Sequence, residues 1–72
     1  MKLFCFGFGQ VAQYFVDHLL SCNVDLKLIT TSRNITSELT FKNLKYLNYE
    51  FSENDFDKDL INPLQESDHI LI

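Results

Sequence analysis

The run Leu3-Phe4-Cys5-Phe6 is apolar, stops on Gly7-Phe8-Gly9, and passes directly into Gln10-Val11-Ala12, where a helical pattern begins. A buried strand that turns on glycine straight into a helix has to pack that helix against a sheet, which points to the α/β class. Gly7, Gly9 and Ala12 also have the spacing G-x-G-x-x-A, a form of the dinucleotide-binding fingerprint. Each position has a mechanical reason. Gly7 lets the chain leave the strand sharply, and Gly9 removes the side chain that would keep a pyrophosphate off the backbone. Ala12 is small enough for helix and strand to sit close together. With Phe8, Gln10 and Val11, these residues form a turn whose helix N-terminus offers unpaired N–H groups and a partial positive charge to phosphate.

The pattern continues along the chain. Lys2–Phe6 reads as a buried strand. Gln10–Ser21 reads as a helix, with Ala12, Phe15, Val16, Leu19 and Leu20 on one face. Cys22-Asn23 supplies a stop, because Asn tolerates the left-handed cap conformation. Leu26–Thr30 reads as a second strand, Thr36–Phe41 as a short helix and Leu44–Tyr49 as a third strand. Phe51–Asp57 is polar and loop-like. Lys58–Ser67 contains helical turns that Pro63 is expected to break or to begin. Asp68–Ile72 opens a fourth strand. The order β-α-β-α-β-α-β implies a parallel sheet. The chain ends on Ile70-Leu71-Ile72, inside an apolar strand, so only the first half of a doubly wound nucleotide-binding fold is expected.

Composition narrows the partners. A chain of 72 residues makes one small domain, and hydrophobic residues at 46% exclude a disordered tail. A net charge of −4 without a basic stripe argues against nucleic acid. No apolar run reaches the ~20 residues that span a bilayer, and Gly7, Gly9 and Gln10 interrupt any signal peptide. A cytoplasmic protein is expected. Cys5 and Cys22 have no C-x-x-C spacing and read as structural thiols. The acidic residues Glu50, Glu53, Asp55, Asp57 and Asp59 read as a solvated loop. His18 and His69 have no metal-ligand spacing, and no catalytic residue emerges.

The nucleotide is read from the end of the second strand. An acid ~20 residues beyond the third small residue of the fingerprint binds the ribose of NAD. Here that window holds Thr30-Thr31-Ser32-Arg33 and no acid. Arg33 suits a 2′-phosphate as a charged fork, with Thr31 and Ser32 as donors, so NADP is expected over NAD. Glu50 and Phe51, after the third strand, are placed to accept from and pack on an adenine.

Phe4-Cys5-Phe6-Gly7-Phe8-Gly9 followed by Ile29-Thr30-Thr31-Ser32-Arg33 resembles the N-terminus of atypical or extended short-chain dehydrogenase/reductases. It is more closely similar to the NAD-dependent epimerase/dehydratase-like group, often described as nucleoside-diphosphate-sugar epimerases. The resemblance implies that residues 1–72 form the N-terminal half of an NAD(P)-binding Rossmann domain, a truncated parallel half-sheet. Gly7, Gly9 and Ala12 then lie at the phosphates, and Thr31, Ser32 and Arg33 at the 2′-phosphate. It also implies a Tyr-x-x-x-Lys pair beyond this chain; Tyr14-x-x-x-His18 lies on the first helix and does not replace it. The function expected is an NADP-preferring fragment of an oxidoreductase or epimerase. The alternatives are a nucleotide-sensing regulatory module and a non-functional truncated product. The expected partners are the nucleotide and either a missing C-terminal half or a second copy paired through the open sheet edges.

Overall fold

The computed structural model describes residues 1–72. Five strands form one mixed sheet in the order β3-β4-β2-β1-β5. The elements run β1 (Lys2–Phe6), α1 (Gln10–Ser21), β2 (Lys27–Ser32), β3 (Ser37–Phe41), β4 (Leu44–Glu50), a 3-10 turn (Lys58–Leu60), α2 (Ile61–Glu66) and β5 (His69–Leu71). The β1–β2, β2–β4 and β1–β5 pairs are parallel, and β3 pairs antiparallel with β4. The chain is therefore a small α/β domain.

One element differs in type from expectation. The segment read as a helix over Thr36–Phe41 is the strand β3. Lys42 and Asn43 lie between Phe41 and Leu44 with φ of 48° and 69°. Phe41 pairs with Leu44, so the connection is a two-residue hairpin turn. Two consecutive positive φ values match the twist of antiparallel strands and force the chain back on itself. Ser37–Phe41 then pairs with β4 over its whole length, and pairing overrides the weak helical preference of so short a piece. The sheet is therefore mixed rather than wholly parallel, and no helix joins β2 to β4.

The core lies on both faces of the sheet. Leu3, Cys5 and Leu28 meet Ala12 and Val16 of α1, with Leu26 beside them. On the other face Phe4 and Ile29 meet Leu60, which precedes α2. Burial on alternate sides of β1 explains why Leu3, Phe4 and Cys5 are all apolar. α1 ends as expected at Cys22, followed by Asn23 at φ 59°. α2 begins before Pro63 rather than at it. Pro63 falls in the first turn, where its missing N–H has no partner to lose. No helix is long and apolar enough to cross a membrane.

Candidate functional site

β1, β2, β4 and β5 point their carboxyl ends to one edge of the sheet, since their pairings are all parallel. From β1 the chain neighbours β2 on one side and β5 on the other. A crevice opens where strand order reverses in this way, and ligands of open α/β sheets bind there. Here it is a concavity of about 260 Å³, lined by Phe6, Gly7, Gly9, Gln10, Val11 and Ala12 with Leu71 and Ile72.

The glycine turn forms its floor. Gly7 has φ +85°, a conformation that L side chains rarely adopt. Gly9 is different. It is the N-cap of α1 at φ −79° and ψ −170°, extended backbone open to any residue. A Cβ there would meet nothing within 4 Å. The fold itself therefore does not require glycine at position 9; what glycine keeps is open space above the helix end. No side chain caps α1, and its first turn holds no acid. The first backbone bond of the helix runs from Gln13 N–H to the Gly9 carbonyl at 3.0 Å, which leaves the preceding N–H groups without helical acceptors. Gln13 Nε2 donates to the Phe8 carbonyl at 3.0 Å and braces the loop. Ala12 packs in the core cluster with Leu3 and Cys5.

The residues expected at a 2′-phosphate separate into three environments. β2 runs on to Ser32, so Thr31 and Ser32 belong to the strand and not to a following loop. Thr31 is only 3% exposed. Its hydroxyl accepts from the Gly7 N–H at 3.1 Å, so it holds the turn from beneath instead of standing free at the rim. Ser32 is half-buried. Its Oγ accepts from Asn34 N–H at 3.1 Å and from Asn48 Nδ2 at 2.8 Å. Both lone pairs are thereby occupied, and the hydroxyl proton is left to donate. Arg33 is exposed and forms no ion pair.

Asn48, on β4, is the residue that sequence reading missed. It is 3% exposed, and its Oδ1 accepts from the Thr30 hydroxyl at 2.9 Å while its Nδ2 supports Ser32. The signal was an amide set between the large side chains of Leu47 and Tyr49 in a strand, where a buried polar group has to find partners. Phe6, Leu71 and Ile72 also line the concavity and were not among the expected site residues.

Phe8 does not line the concavity. Its ring lies 5.3 Å from those of Phe41 and Tyr46, on the α1 face of the sheet. The turn aims Phe8 inward, where it covers the end of the hairpin. Phe51 is 40% exposed and packs edge-on against Phe6 at 5.8 Å and at a tilt against Phe56 at 5.7 Å. An aromatic row thus runs from the concavity wall towards Phe51. Glu50 is exposed; its backbone N–H donates to Thr36 Oγ1 and its carbonyl accepts from Asp57 N–H.

Titration separates the bystanders. Burial pushes the Cys5 thiol up to about 11, which leaves it protonated and unreactive at neutral pH. Burial, with the carboxylates of Asp57 and Asp59, also raises Tyr49. Cys22 is exposed, with its sulfur 3.8 Å from His18 Nε2. A larger hollow of about 360 Å³ lies on the α2 face; Lys27, Lys45, Glu38 and Glu66 line it with both signs of charge, which favours no single charged ligand. Compared with known protein families, with curated proteins and with solved structures, the chain matches none.

Proposed function

We propose that the carboxyl edge of the sheet binds a dinucleotide, with NADP preferred over NAD, in the manner of a Rossmann-type fold. The observation that carries this reading is Gly9. Neither backbone conformation nor packing asks for glycine there, yet its missing side chain keeps the space above the α1 N-terminus open. A pyrophosphate lying on that turn is the ligand that such an opening suits.

Support comes from three further features. β1, β2, β4 and β5 place the turn at a reversal of strand order. Ser32 has a proton to donate, and Arg33 is a free cation beside it. Phe51 offers an aromatic surface next to the Phe6 wall. In this reading Arg33 and Ser32 take the 2′-phosphate, Gly7, Gly9 and the first N–H groups of α1 take the pyrophosphate, and Phe51 with Glu50 faces the adenine. Thr31 and Ala12 act indirectly, by holding the turn and seating the helix.

Calorimetric titration of the chain with NADP and NAD tests this. NADP is expected to bind more tightly, and Arg33→Ala to cut the preference by about tenfold, or ~1.4 kcal/mol. Gly9→Ala is expected to abolish binding of both while leaving the melting temperature unchanged. Equal affinity for the two nucleotides would remove Arg33 from the site, and no binding of either would end the proposal.

A further inference from the structure

We propose, resting on the dinucleotide reading of this edge, that Asn48 selects NADP over NAD by fixing which way the Ser32 hydroxyl proton points. Thr30, Asn48 and Ser32 form a chain of side-chain hydrogen bonds. It lies on the α1 face of the sheet, where Thr30 pairs with Cys5. Thr30 is fully buried, and its hydroxyl makes one hydrogen bond, donating to Asn48 Oδ1 at 2.9 Å. Reversing the Asn48 amide would strand that proton in the core, which costs more than a hydrogen bond gains. Oδ1 is therefore held towards Thr30, and Nδ2 is left to donate to Ser32 Oγ at 2.8 Å. The Asn34 N–H donates to the same oxygen at 3.1 Å.

A hydroxyl has two lone pairs and one proton. Asn48 and Asn34 take both lone pairs, so Ser32 has only its proton to offer, directed away from Asn48. Ser32 can carry that arrangement because it is half-buried at the end of β2, where the strand meets the open edge. The direction matters differently to the two nucleotides. A 2′-phosphate at neutral pH is rich in acceptors, so it takes a proton from Ser32 and is repelled by a lone pair. A ribose 2′-hydroxyl both donates and accepts, and is served by either. Arg33, the next residue, is exposed and supplies charge; Asn48 supplies direction. Asn48 is itself only 3% exposed and is a positioning residue. A carboxylate in its place would accept from both hydroxyls, turn the Ser32 proton inward and present a lone pair to the edge.

Calorimetric titration with NADP and NAD compares the unsubstituted chain with Ser32→Ala, Asn48→Asp and the double variant. Ser32→Ala is expected to lower the ratio of NADP to NAD affinity about tenfold. Asn48→Asp is expected to lower it further, by misdirecting the proton and by adding negative charge. Adding Ser32→Ala to Asn48→Asp is expected to leave the ratio unchanged or to raise it, since it then removes a lone pair and not a donor. The added charge is common to that pair of variants and cancels. An equal loss from Ser32→Ala in both backgrounds overturns the role of Asn48 and leaves the NADP site standing. No binding of either nucleotide by the unsubstituted chain overturns both. Should Asn48→Asp fail to fold, the amide reports without nucleotide, in NMR spectra of the isotope-labelled chain. Ser32→Ala is expected to move one Asn48 Nδ2 proton upfield and to speed its exchange with solvent, and unchanged Nδ2 signals overturn the proposal.

Discussion

At Thr31 a single hydroxyl ties the end of β2 to the turn on which the candidate site is built. The Gly7 N–H that it accepts at 3.1 Å belongs to a residue held at φ +85°, so the bond fixes the one point of the turn that needs glycine. Thr31→Val keeps the β-branched shape and removes only the acceptor. The expected loss is about 1 kcal/mol, which in a domain of this size lowers the melting temperature by roughly 4–8 °C. Thermal unfolding followed by circular dichroism measures it, and an unchanged midpoint would show that water replaces the hydroxyl at no cost. The same stretch marks how far the site was legible. The hydroxyls of Thr30, Thr31 and Ser32 stood out in the sequence. Their separate roles did not, because side chains alternate across a strand and β2 was expected to end at Thr30. With the strand extended to Ser32, Thr30 and Ser32 turn to Asn48 while Thr31 turns to Gly7.

Among the elements, β1, α1, β2 and β4 were legible, because their apolar spacing records which faces are buried. β3 was not. Four of its five residues are polar or more than one-third exposed in an edge position, and its placement depends on the hairpin turn at Lys42-Asn43. That sequence lacks the glycine that marks such turns most clearly. β5 is short and is held to β1 partly by Asp68, whose carboxylate accepts from the Lys2 N–H at 2.8 Å. This hydrogen bond, helped by the N-terminal amine, His69 and Lys2, holds the Asp68 carboxyl below its ordinary 3.8. A carboxyl with a lower pKa in the folded state than in the unfolded state stabilises the fold above the unfolded value. That contribution disappears as pH falls from near 3.8 through the folded value. Asp68→Asn is therefore expected to be the less stable protein at pH 7, with a shallower loss below pH 4 than the unsubstituted chain. Denaturant midpoints measured across that range decide it. Parallel curves would mean that the bond contributes equally to both states.

For the molecule as a whole, only 12 of 72 residues are buried, so stability rests on few side chains. Domains of this length are stable by about 5 kcal/mol. The core is divided by the sheet into a six-residue cluster beneath α1 and a three-residue cluster of Phe4, Ile29 and Leu60. Leu60, at 3% exposure, is the buried anchor of everything between β4 and β5. The 3-10 turn that carries it is capped by Asp57, which accepts from Asp59 N–H at 3.0 Å and from the Thr36 hydroxyl at 2.7 Å. Leu60→Ala is expected to cost about 2–4 kcal/mol, a large share of the whole. The two clusters are nevertheless built on consecutive residues of one strand: Leu3 and Cys5 face α1, and Phe4 faces Leu60. Neither side of β1 can come apart while the other keeps the strand in place. The Leu60→Ala variant is thus expected to unfold in urea in one transition, at a lower midpoint, with helical signal and tyrosine fluorescence changing together. Separate transitions would show that the α1 face survives alone, and that β1 does not couple the two halves of the core.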